Sequence, residues 1–303
     1  MTTSTPKFTR DELTVHTDPV ELGKVTRALR GVGRKIALVP TMGALHDGHL
    51  ELIRMARRLP NTVTVVSIFV NPLQFGPNED LAKYPRTLED DLAKCREAGV
   101  ELVLAPAAEA IYGDSPQVTV HPGPLGDELE GAVRPGHFAG VLTVVAKLFN
   151  IVRPDHSFFG EKDYQQLVLI KRMARELNFE TSVVGVPIVR DREDHLALSS
   201  RNRFLSEAER ASALALPKAL SAGTEAAIEG AEQGVAAARA VLDAHPEVVV
   251  DYLELRGKDL GPAPATGEAR LLVAARVGGT RLIDNTPVLL GVPESGGTPE
   301  LHG

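Results

Sequence analysis

The chain has 303 residues, 43% hydrophobic and 24% charged, with a formal net charge of −7, so it is a globular protein long enough for a large and a small domain. An acidic chain with no tryptophan, 4% aromatic residues and no lysine tract lacks both the basic face and the stacking platform of a nucleic-acid binder. No apolar run reaches bilayer length, MTTSTPKFTRDEL has no signal-like apolar core, and the single Cys95 excludes an intrachain disulfide; a cytoplasmic protein acting on small molecules is the expectation.

Read in chain order, KIALVPT (35–41) is a short β-type run that leads into the helical pattern HLELIRMARRL. TVTVVSIFV (62–70) is nearly continuous and β-branched, as in a strand buried on both faces of a parallel sheet. TLEDDLAKCREAG reads as a helix stopped by Gly99, with Cys95 an unpaired helix residue. There follow the strand VELVLAP, the buried helix GVLTVVAKLFNIV (140–152), the strand HSFFG, the helix DYQQLVLIKRMARELN and the strand TSVVGVPIV. Alternation of this kind predicts a doubly wound parallel α/β sheet, Rossmann-like, with ligands beyond the carboxyl ends of the strands.

Near residue 190 the pattern changes. SEAERASALALPKAL and GVAAARAVLDAH are alanine-rich helices, and VVVDYLELRG and ARLLVAARVGGTRLIDN are strands, with Gly278-Gly279 as a two-residue hairpin turn. The expected domains are 1–188, a small α+β domain at 189–290 and a flexible tail at 291–303.

The stretch PTMGALHDGH (40–49) carries the first chemical signal. Gly43 and Gly48 let backbone approach a ligand, Asp47 is the expected N-cap, and the start of a helix favours an anion. His46 and His49, three apart, can face one spot and donate hydrogen bonds to phosphate. The alternative is a pair that merely caps a surface turn. Zinc is excluded by the lack of further ligands at sensible spacing, and no P-loop motif occurs.

HDGH resembles the His-x-Gly-His signature of the nucleotidyl-transferring Rossmann-like superfamily, which includes class I aminoacyl-tRNA synthetases and cytidylyltransferases. LALSSRNRFL (196–205) is similar to that superfamily's second, triphosphate-closing loop through Ser199, Ser200 and Arg201; alone it reads equally well as a surface loop. FFGEKDYQQL (158–167), IFVNPLQFGPNEDLAKYPRT (68–87) and RPGHFAGVLTVV (134–145) then make the chain resemble the pantoate–β-alanine ligase family.

This resemblance implies ATP as co-substrate, Mg²⁺, the small-molecule substrates pantoate and β-alanine, and a homodimer. It implies ATP contacts at Met42, Gly43, His46, Gly48, His49, Gly160, Lys162, Asp163, Val189, Leu198, Ser199, Ser200 and Arg201. His46, His49, Lys162 and Arg201 would be catalytic, with His49 at the family's proton-donating position. Gln74 and Gln166 would hold pantoate, with Asn71 beside them; without the family, Gln166 reads as an exposed helix residue. Asp90 and Asp91 match positions linked to the metal, yet Lys94 replaces the third, which leaves the two carboxylates open as helix-surface charges. His137 stays open between a loop-structuring and a site role. The implied chemistry is a pantoyl adenylate, shielded from water by the small domain as a lid, which β-alanine then consumes. Two rivals stand beside it: another nucleotidyltransferase on the same scaffold, and a catalytically silent nucleotide-binding regulator.

Overall fold

The computed structural model describes residues 8–9, 12–76, 81–114 and 116–291; the tail expected at 291–303 lies outside them apart from Gly291. The chain forms two compact units. One holds the residues up to Val189 together with Leu198–Ser200; the other holds Arg190–Ala197 and the residues from Arg201 onward. The backbone therefore changes unit three times between Val189 and Arg201.

The first unit contains β1 (Thr14–His16), α1 (Pro19–Gly31), β2 (Lys35–Thr41), α2 (Asp47–Arg57), β3 (Thr62–Ile68) and α3 (Leu88–Glu97). It continues with β4 (Leu102–Leu104), α4 (Ala108–Tyr112), α5 (Glu130–Val133), α6 (His137–Val152), β5 (His156–Gly160), α7 (Tyr164–Glu176) and β6 (Ser182–Val186). The six strands form one parallel sheet in the order β1-β4-β3-β2-β5-β6. Ile36–Val39 of β2 and Val63–Ser67 of β3 are buried along their length, because helices cover both faces. β1 and α1 escaped the sequence reading, although Asp18-Pro19 was a usable start signal: the Asp18 carboxylate accepts the Val20 N–H at 2.8 Å and Pro19 opens the helix.

The strand order fixes where a ligand can sit. From β2 the chain steps to β3 and β4 on one side, whereas β5 lies on the other side of β2 and leads to β6. The carboxyl ends of β2 and β5 therefore flank the switch point, where connections leave in opposite directions and open a crevice. β2 ends at Thr41, just before the glycine turn, and β5 ends at Gly160, just before Lys162.

α6 starts at His137, three residues earlier than its apolar run, and twelve of its sixteen residues are buried. It passes unusually close to the 3-10 turn Pro72–Gln74: a Cβ on Gly140 would stand 2.2 Å from the Leu73 carbonyl oxygen and 2.6 Å from the Gln74 nitrogen.

The second unit contains α8 (Glu207–Ala213), α9 (Ala215–Ala226), α10 (Ala231–Asp243) and the antiparallel sheet β7 (Val248–Gly257), β8 (Gly267–Val277), β9 (Thr280–Leu290). The expected hairpin is present, with β8 ending at Val277 and β9 starting at Thr280. Small alanines let α9 and α10 lie close, and Leu216, Leu220 and Leu242 pack with Leu271, Val273 and Leu282 of the sheet. The segment Arg190–Ala197 is tied into this unit by charge. Arg190 makes a bidentate pair with the buried Asp284 at 2.7 and 2.9 Å, and Arg210 reaches Asp194 at 2.7 Å and Asp191 at 3.1 Å.

Replacing Gly140 by alanine forces α6 and the Pro72–Gln74 turn apart. We expect a loss of about 3 kcal/mol in urea unfolding; wild-type stability would show that the two segments do not approach as described.

Candidate active site

The turn after β2 is built from two residues in the left-handed region, Gly43 (φ 79°) and Ala44 (φ 50°). Alanine adopts this conformation only at a cost of about 1–2 kcal/mol, so neighbouring groups must hold it. Asp91 of α3 does so: its carboxylate accepts the Ala44 N–H at 2.9 Å and the Leu45 N–H at 2.7 Å. Lys94, one turn later, donates to the Leu45 carbonyl at 2.6 Å, and the Leu45 side chain is buried in the sheet–helix core.

The N-cap of α2 is His46, not Asp47, which is the first helical residue. His46 Nδ1 accepts the Gly48 N–H at 3.1 Å, and His49 Nδ1 accepts the His46 N–H at 3.3 Å. Each ring uses Nδ1 as acceptor, which assigns the proton of the neutral imidazole to Nε2. The ring centroids are 4.1 Å apart. A Cβ on Gly48 would collide with the His46 ring at 2.8 Å, so the glycine makes room for the cap.

Both rings are held neutral. Burial above all, then the charge of Lys162, lowers His46 to about 4. Burial, then His46 itself, lowers His49 to about 3, with Lys162 and Lys94 adding to the effect and Asp163 opposing it. The pair therefore presents two neutral Nε2–H donors at the start of a helix. These groups also show that Lys162, which follows β5, shares the electrostatic neighbourhood of the turn that follows β2.

Lys162 is largely buried and lies 4.0 Å from the half-exposed Asp163. Gly160 ends β5 directly before them. Leu198 bonds through its N–H to the Val189 carbonyl at 3.0 Å, and its Cβ stands 4.0 Å from where a Gly48 Cβ would lie. Val189, Leu198, Ser199 and Ser200 thus belong to the unit of the histidines, and Leu198 abuts their turn; Arg201 belongs to the second unit.

On the β3 side, Gln74 is buried, accepts from Asn71 Nδ2 at 2.9 Å and donates toward the Met42 sulfur at 3.1 Å. Asn71, expected at the substrate, has its amide committed to protein: Nδ2 also donates to the Gly140 carbonyl, while Oδ1 accepts from the Leu73 N–H and the Tyr112 hydroxyl. It braces Gln74. His137 is settled in the same way: Nδ1–H donates to the Gln74 carbonyl at 2.8 Å, and Nε2 stands 3.1 Å from the Arg134 guanidinium. Gln166 is half-buried in the first turn of α7. Its neighbour Gln165, which the sequence did not single out, is buried and braces the 125–130 backbone with bonds to Leu125, Glu128 and Glu130.

One expectation needs correcting: Asp90 is exposed, but Asp91 is buried and is not a surface charge. Among the described residues no cluster of three or more His, Cys, Asp or Glu is arranged for a metal, and the Asp91 oxygens are spent on the turn. The donor set does not form a magnesium cage. Cys95 is buried, with burial and then the Asp91 charge pushing its thiol up to about 12, so it is an inert packing residue.

Comparison with known proteins decides which family builds this site. The family model described as pantoate-beta-alanine ligase matches residues 14–287. The chain belongs to the pantoate–β-alanine ligase family. It is 69% identical to the pantothenate synthetase of Saccharopolyspora erythraea over 94% of both chains, and 62% identical to that of Mycolicibacterium smegmatis over 95% of this chain and 91% of that one. Its fold matches the Thermus thermophilus enzyme with a TM-score of 0.84 at 47% identity, covering 91% of this chain and 99% of that one. A Francisella tularensis pantoate–β-alanine ligase, complexed with beta-gamma ATP and β-alanine, matches with a TM-score of 0.75 at 32% identity over 91% of this chain and 97% of that one. A parallel Rossmann-like sheet with a separate small α+β unit is the architecture of this ligase.

The neutral histidines give stability a definite pH dependence. Below about pH 6.5 the unfolded rings bind protons that the folded rings refuse down to about 4 and 3, so stability falls as pH drops through that interval and levels off beneath it. Urea unfolding between pH 7 and 4 should show a shallower slope in a H49Q variant than in the wild type. Equal slopes would mean that His49 titrates normally in the fold.

Proposed function

We propose that the chain condenses (R)-pantoate with β-alanine at the expense of ATP, through a pantoyl adenylate, releasing pyrophosphate and AMP. What supports this most is the meeting of two neutral Nε2–H donors and an ammonium group at the switch point. A half-satisfied buried glutamine stands beside them, in a chain that shares most of its sequence with pantothenate synthetases.

A carboxylate is a poor electrophile, and activation supplies what it lacks. A pantoate carboxylate oxygen attacks the α-phosphorus of ATP, the bond from that phosphorus to the α,β-bridging oxygen breaks, and pyrophosphate leaves. The neutral amine of β-alanine then adds to the acyl carbon of the mixed anhydride. An amine proton is lost, the acyl–oxygen bond breaks, and AMP departs as the amide forms. Neither step needs a protein nucleophile; both need positioning and charge stabilisation.

In this reading Gly43, Gly48 and the start of α2 admit the triphosphate, as helix starts do for anions. His46 and His49 donate from Nε2 to its oxygens, and as neutral donors they stabilise growing charge without surrendering a proton. Lys162 supplies the positive charge. Met42, Gly160, Asp163, Val189 and Leu198–Ser200 line the nucleotide. Gln74 keeps one N–H and one lone pair beyond the bonds described above, which suits a hydroxyl and a carboxylate. Gln166 is the second pantoate contact, while Asn71, His137 and Arg134 position Gln74. Among the described residues there is no magnesium cage, so any such ion would be held by the nucleotide's phosphates, and no step is assigned to it.

In the test, purified protein should release pyrophosphate from ATP only when pantoate is present, and form AMP only once β-alanine is added. The K162A variant should lower the first of these rates by about 10²–10³. Pyrophosphate release that ignores pantoate would overturn the substrate assignment, and a near-normal K162A would remove Lys162 from the chemistry.

A further inference from the structure

We propose that Asp91 and Lys94 of α3 form a clamp that sets the shape of the nucleotide turn, and that Asp91 serves ATP binding as a positioning residue, not as a metal ligand. This inference rests on the proposed role of the turn as the triphosphate cradle.

Residues 43 and 44 both have positive φ, and one of them carries a Cβ, so the turn does not hold this shape by its own preference. The N–H groups of Ala44 and Leu45 find a single carboxylate. Asp91 Oδ1 takes the Leu45 N–H at 2.7 Å; Oδ2 takes the Ala44 N–H at 2.9 Å and the Thr87 hydroxyl at 3.1 Å. A carboxylate suits this place because it only accepts, and it does so on both oxygens. From the other side, Lys94 Nζ donates to the Leu45 carbonyl at 2.6 Å. Three polar groups of the turn are therefore fixed by two residues one helical turn apart. The fit is close: a Cβ on Gly43 would lie 2.9 Å from Asp91 Oδ2.

What the clamp controls is the entry angle into α2. His46 caps that helix immediately after Leu45, and its ring orientation depends on the Gly48 N–H. If the 43–45 backbone relaxes, the cap and both Nε2–H donors move with it.

D91N separates this role from metal ligation. Asparagine has one oxygen, so it must turn an N–H donor toward one backbone N–H, leaving a buried donor unpaired. We expect ATP binding, measured by calorimetry in EDTA, to weaken about 10- to 100-fold. The Mg²⁺ concentration for half-maximal turnover should not change. K94M, which removes only the donor to Leu45, should weaken metal-free binding several-fold, and K94Q should restore part of it because its amide can still donate. Unchanged metal-free affinity in D91N together with a raised Mg²⁺ requirement would overturn the proposal. Should D91N not fold, K94M carries the test, and wild-type affinity in it overturns the proposal equally. H46A/H49A provides the separate control: if that variant binds ATP normally, the cradle reading itself fails, whatever Asp91 does.

Discussion

A helix cannot satisfy the N–H groups of its own first turn, and in this chain the groups recruited around the start of α2 define the site. Histidine nitrogens serve where a hydroxyl or carboxylate usually would. Using Nδ1 for the cap leaves Nε2 as the protonated atom on both rings. Burial and nearby ammonium groups keep the rings neutral, so a structural need of the helix determines the tautomer, the charge and the orientation of the two donors.

Around this helix start, the parallel sheet brings three loop ends together without any long-range sequence signal. The turn after β2, Lys162 after β5, and the Asn71–Gln74 segment after β3 meet because β3, β2 and β5 are neighbours. The buried polar network beneath them is nearly self-contained. Tyr112 holds Asn71, Asn71 and His137 hold Gln74, and Gln74 reaches Met42 in the nucleotide turn. Such chains of bonds in a low-dielectric interior fix geometry firmly, and they link the Asn71–Gln74 segment to the glycine turn after β2.

Much of this was legible in the sequence. Continuous β-branched runs separated by amphipathic helices carry enough period information to give a parallel α/β sheet, and Gly278-Gly279 marks a hairpin by its backbone freedom alone. The histidine spacing and the glycine turn pointed to one local site. What escaped are contacts between segments far apart in the chain. The positive φ of Ala44, the burial of Asp91 against it and the grip of Lys94 lie 46 to 49 residues apart, and no periodicity encodes them. For that reason Asp91 looked like a metal-linked or surface carboxylate. The N-cap was misplaced by one residue because Asp47 is the better capping type; the fold prefers His46, whose ring then has a second use. Short β1 and α4 carry too few residues for a pattern.

The chemistry of the site depends most directly on the state of the two imidazoles. Nitrogen-15 NMR of the ring nitrogens, with and without ATP, reads it. We predict that His46 and His49 stay neutral and protonated on Nε2 from pH 8 down to about 5, in line with values held near 4 and 3. We also predict that ATP shifts both Nε2 resonances and leaves the Nδ1 signals nearly unmoved. Imidazolium signals at pH 6, or rings indifferent to the nucleotide, would contradict it.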